Sequence, residues 1–154
     1  MATDFKVLKL KNDILTHIAL GSRTIEAEIK NCPCLEKYRK FFGQEAINDL
    51  KKEISFDKLR SLSQDYQRWR SSIDDCIKIN KRIVEVQRRC SMTKELGVRG
   101  EALISISSTV VLAGARIDKD EFLTQKEAAD IIEALEGALD NLVQLPVFVP
   151  ASTI

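Results

Sequence analysis

DKLRSLSQDYQRWRSSIDDCIKINKRIVEVQRRCSMTKEL, residues 57–96, contains neither glycine nor proline. Along it Leu59, Leu62, Tyr66, Trp69, Ile73, Cys76, Asn80, Ile83, Gln87 and Cys90 recur at alternating steps of three and four. On a helix of about 3.6 residues per turn that spacing keeps one face together through several heptads. The stretch predicts a single long helix, with Asp57 as its N-cap and Gly97 as its stop. In its second half Ile77 and Val84 flank the stripe on one side, Ile79 and Val86 on the other. Such a width exceeds what one packing neighbour requires. The surplus implies a helix covered on both sides by its own chain or shared with a second subunit. Ile77, Ile79, Val84 and Val86 are therefore the candidate partner interface.

Working outward, the residues before 57 read as one long and two short helices. From Asp4 to Lys30, helical spacing joins Leu8, Leu15, Ile18, Ser22, Ile25, Ile29 and Cys32. Gly21 falls inside the pattern and implies a local weakness of about 1 kcal/mol relative to alanine. Pro33 marks the boundary, because a proline disfavours helical geometry in the residue before it. Gly43 separates two short apolar clusters, and Phe41, Phe42 and Phe56 make this the aromatic-rich corner, expected to plug one end of a bundle.

Beyond 97 the same logic gives two more helices. Leu103, Ile106, Val110, Ala113 and Ile117 share a helical face, although Ile104, Ile106, Val110 and Leu112 also alternate as a strand would. The helix is preferred, since no second strand offers itself for pairing. Ser105, Ser107, Ser108 and Gly114 would permit close helix approach. Thr124 and Glu127 have the spacing of a capping box, in which hydroxyl and carboxylate each satisfy the other's free amide. Ala128, Ile131, Leu135, Ala138 and Leu142 follow as an inner face, and Pro146 closes it. The expected fold is all-α: a helical bundle of about four long and two short helices, one domain over 1–145, and an extended apolar tail over 146–154.

Composition agrees with that reading. The chain has 154 residues, 44% hydrophobic and 31% charged, which suits a folded domain with its own core. Lysines alternate with apolar residues over 1–11, unlike a secretory signal, and no window approaches the roughly 20 apolar residues of a membrane span. A soluble, cytoplasmic protein with no membrane contact is the expectation. Cys32, Cys34, Cys76 and Cys90 are then reduced thiols. Cys32-Pro33-Cys34 lacks the two-residue spacing of a zinc knuckle or thioredoxin site, so the cysteines are read as small core hydrophobes.

Motifs for chemistry are sparse. The one histidine, His17, has no glutamate three positions before it and falls on the polar side of its helix, as a solvated residue would. Gly97-Val98-Arg99-Gly100 is too short for a phosphate loop and lacks its lysine; a helix C-cap accounts for it. Asp118, Asp120 and Glu121 lack the glycine and terminal glutamate of a calcium loop. Neither a catalytic residue, nor a metal site, nor a cofactor is expected, and the chain is read as a non-enzyme.

Charge is unevenly spread around a net value of +1. Residues 57–99 hold eleven Lys/Arg against six Asp/Glu; residues 100–154 hold three against nine. Lys78, Lys81, Arg82, Arg88 and Arg89 form a basic ridge opposite the apolar stripe, able to track phosphates or another acidic surface. The plainer reading is that the acidic last helix lies beside this ridge and complements it. The leading expectation is a helical interaction protein acting as adaptor, inhibitor or regulator, as a homodimer with a further protein partner. The alternative is a small nucleic-acid-associated regulator using the ridge. Third comes an enzyme whose acids are assembled only by the fold.

Overall fold

The computed structural model describes residues 2–97 and 103–145. Five α-helices and one 3₁₀ helix account for nearly all of them, with no strand among the described residues. They are α1 (Ala2–Glu28), the 3₁₀ helix (Pro33–Phe41), α2 (Gln44–Leu50), α3 (Phe56–Glu95), α4 (Ile104–Asp118) and α5 (Gln125–Gln144). The all-α fold class and the count of long and short helices are those read from the sequence. Segment 104–118 is helical, so its alternating pattern does not make a strand. The tail 146–154 and residues 98–100 of the glycine turn lie outside the described residues; Gly97, at φ 95°, ends α3 in the left-handed region that glycine tolerates.

The chain groups into two compact units. The first comprises residues 1–77 with 120–122. There α1 buries Ile14, Ile18, Gly21, Ile25 and, just beyond its end, Cys32, while Leu8 and Leu15 stay exposed. The inner face is thus rotated from the one expected, and Gly21 is the reason. A Cβ at Gly21 would stand 2.2 Å from Cδ1 of Phe42, so the glycine admits an aromatic ring against the α1 backbone. It is a packing position, and α1 runs through it unbroken.

Around that contact the aromatics interlock. Tyr38 stacks on Phe122 at 4.3 Å, Phe41 meets Trp69 at 4.7 Å, and Phe42 lies edge-on to Tyr66 at 5.4 Å. Offset and edge-to-face pairs of this kind add to simple burial. The Tyr66 hydroxyl donates to the Phe41 carbonyl at 2.6 Å, which satisfies the end of the 3₁₀ helix. The α3 start differs by two residues from the sequence reading. Ser55, not Asp57, is its N-cap: Lys58 N donates to Ser55 Oγ at 3.3 Å, and Asp57 instead holds Arg60.

The second unit comprises residues 78–119 and 123–154. Its part of α3 buries Ile79, Ile83 and Val86, with Gln87 exposed and Asn80 partly so. A strict heptad would have put Asn80 and Gln87 inside. Burying an amide without a partner costs more than burying an aliphatic chain, and the neighbours one position earlier, about 100° around the helix, supply one. On α4 the buried residues are Ile106, Val110, Ala113 and Ile117, preceded by Leu103. On α5 they are Ala128, Leu135, Ala138 and Leu142. The α5 capping box is complete in both directions between Thr124 and Glu127.

Candidate functional site

The α4 helix buries one stripe and presents another. Ile104, Val111 and Leu112 are 62%, 67% and 71% exposed, at a spacing that places them along one outer face. No charged residue occurs between Ile104 and Ala115; the exposed Ser107 and Ser108 are the polar residues that share this side of the helix. Large aliphatic side chains scattered singly need no explanation, but three on one uncharged face form a patch. Two hollows flank it. One, of about 620 Å³, has Ile104, Ser107, Ser108, Val111 and Lys94 in its lining. The other, of about 370 Å³, runs between α4 and α5 over Leu112, Ala113, Ile131 and Ala134.

At the end of the second hollow sits a fixed polar corner. Arg116 Nε donates to Glu127 Oε2 at 2.6 Å and its Nη2 to Oε1 at 3.0 Å. The same carboxylate accepts from the Thr124 amide at 3.3 Å and hydroxyl at 3.1 Å. The Arg116 guanidinium first, then these Thr124 bonds, push the Glu127 carboxyl down to about 2. A carboxylate held this firmly ionised is no proton donor near neutral pH. It serves to fix the α4–α5 turn beside the apolar face. Sequence reading found Thr124 and Glu127 but missed Arg116, because a contact eleven residues away leaves no periodic signal.

The basic ridge is divided in the structure. Lys78, Lys81 and Arg88 are exposed, with no ion pair among the described residues. Arg82 reaches Glu85 at 3.2 Å and Glu136 of α5 at 3.6 Å, and Arg89 reaches Glu85 at 3.5 Å. Arg89 also carries a buried Nε that finds no acceptor among the described residues. Complementation by the acidic last helix is thus real at Arg82.

Of the apolar interface candidates, Ile79 and Val86 are wholly buried by their own chain, which removes them from any exposed contact face. Val84 is 55% exposed and Ile77 partly so. His17 departs from the solvated position expected: its Nδ1 lies 3.0 Å from Arg70 Nη1. Partial burial, then the neighbouring Arg70 charge, lower its pKa despite the opposing pull of Asp13. No family model matches the chain, and neither does any curated protein or solved structure.

Proposed function

We propose that the chain is a non-enzymatic helical interaction protein whose contact surface is the outer face of α4, used to pair with a second copy and to hold a protein partner. The observation that carries this reading is the exposure of Ile104, Val111 and Leu112 together on an uncharged helix face. Covering such a face removes apolar area from water at roughly 25 cal/mol per Å², which is the usual driving force of association. Val84 on α3 extends the set of exposed aliphatics available to a partner.

The test is light scattering on the full chain across a concentration series, beside the V111E/L112E double variant. A dimer that becomes a monomer in the variant, with helicity unchanged by circular dichroism, is the expected result. A strict monomer at several hundred micromolar would sink the homodimer. Capture from lysate that is equal for both proteins would sink the α4 face as the partner site.

A nucleic-acid reading rests on a separate observation, the exposed trio Lys78, Lys81 and Arg88 on one side of α3. It predicts binding that falls steeply with salt and is lost on reversing Lys81 and Arg88 to glutamate. Unchanged binding in that variant would remove it.

A further inference from the structure

Three of the four thiols meet in the first unit, although Cys76 is far from the others in sequence. Cys32 Sγ stands 2.9 Å from Cys34 Sγ. Cys32 Sγ also reaches the Cys76 carbonyl at 3.9 Å, and Cys76 Sγ in turn lies 3.5 Å from the Tyr38 hydroxyl. Cys32 and Cys76 are buried; Cys34 is half-buried at the edge of the cluster. No group of three or more His, Cys, Asp or Glu among the described residues is placed to hold a metal ion, so the trio does not read as a metal site. Simple core packing, the other use of buried cysteine, explains Cys76 but not the closeness of the other two.

The backbone around the pair is held from both sides. Cys32 N donates to the Glu28 carbonyl at 2.8 Å, Leu35 N donates to the Cys32 carbonyl at 3.1 Å, and Pro33 fixes φ between them. A covalent sulfur–sulfur bond is about 2.05 Å, so closing this pair takes a shift of under about 1 Å. The reach to close is therefore small and the accessible sulfur is Cys34.

We infer that Cys32 and Cys34 form a modification site for hydroperoxides, closing to an intramolecular disulfide through Cys34. The Cys34 sulfur attacks one peroxide oxygen and becomes a sulfenic acid; the O–O bond breaks, and the other oxygen leaves with the Cys34 proton, as water from hydrogen peroxide or as the alcohol from an alkyl hydroperoxide. The Cys32 sulfur then attacks Cys34, expelling the hydroxyl, which leaves as a second water with the Cys32 proton. The two thiols lose two electrons and two protons, and these turn one hydrogen peroxide into two waters. The Cys32 hydrogen bond pushes the Cys34 thiol up to about 12, so little thiolate exists near neutral pH and the first step is slow. A thiol reductant reopens the bond by exchange.

The sequence makes the experiment direct, because trypsin places Cys32 and Cys34 together on peptide 31–37 and Cys76 on 71–78. The reduced full-length chain is treated with hydrogen peroxide, denatured, alkylated, digested and weighed. Peptide 31–37 lighter by two hydrogens and refractory to alkylation, with recovery after dithiothreitol, is the expected outcome. It should persist in Cys76→Ser and be absent in Cys34→Ser. Two outcomes overturn the inference: full alkylation of both cysteines after Cys90, in the second unit, has been oxidised, or a cross-link between peptides 31–37 and 71–78.

Discussion

Single atoms decide several of the features above. At Gly21 a methyl group would overlap the Phe42 ring, whereas at Gly137 of α5 it would meet nothing within 4 Å. Gly21→Ala should therefore destabilise by about 1–3 kcal/mol through overpacking. Gly137→Ala should stabilise by roughly 0.8–1 kcal/mol through helix propensity alone. Urea titrations of the two variants check both signs, and equal effects would contradict the packing account. Titration adds a second residue-scale prediction. His17 has its pKa lowered by folding, so the unfolded chain binds the proton more readily and stability falls as pH drops through about 6.5. Glu127 is depressed to about 2, so its contribution is intact above about 4.5 and is lost as pH falls toward 2. In Glu127→Gln the lower of these two losses should disappear from the pH dependence of the urea midpoint, while the His17 loss remains.

Among the elements, legibility tracked how local the determining interaction is. The α5 helix was readable except at Ile131, which is only partly buried, because a capping box spans three residues and its inner face follows one period. Thr124→Ala should cost about 1 kcal/mol by the same logic, measured in the urea midpoint. The inner face of α4 was equally plain, whereas its helical state needed an argument from the lack of a pairing strand. On α3 and α1 the faces were misread where tertiary contacts choose among neighbours. Isoleucine and valine displace Asn80 and Gln87 from the interior, and Phe42 draws Gly21 inward. The candidate surface was half visible: the inner face at helical spacing leaves Ile104, Val111 and Leu112 outside it, but that no other element of the chain covers them follows only from the structure. The thiol cluster was invisible, since Cys76 joins it through the packing of α3 rather than through any spacing.

For the molecule as a whole, opposite charge is carried by the basic second half of α3 and by α5. A near-neutral net charge leaves little long-range repulsion between copies, so an apolar face on α4 has weak electrostatic opposition to meeting its like. The same stretch has a liability once it leaves the helix. Unfolded, Ile104–Ala115 is an uncharged, proline-free run rich in β-branched residues, the composition that nucleates cross-β aggregates. Heating at high concentration should therefore be irreversible and turbid, and Val111→Lys should restore reversibility without lowering the melting temperature by more than a few degrees. The face that equips the folded chain for association also makes its survival depend on staying folded.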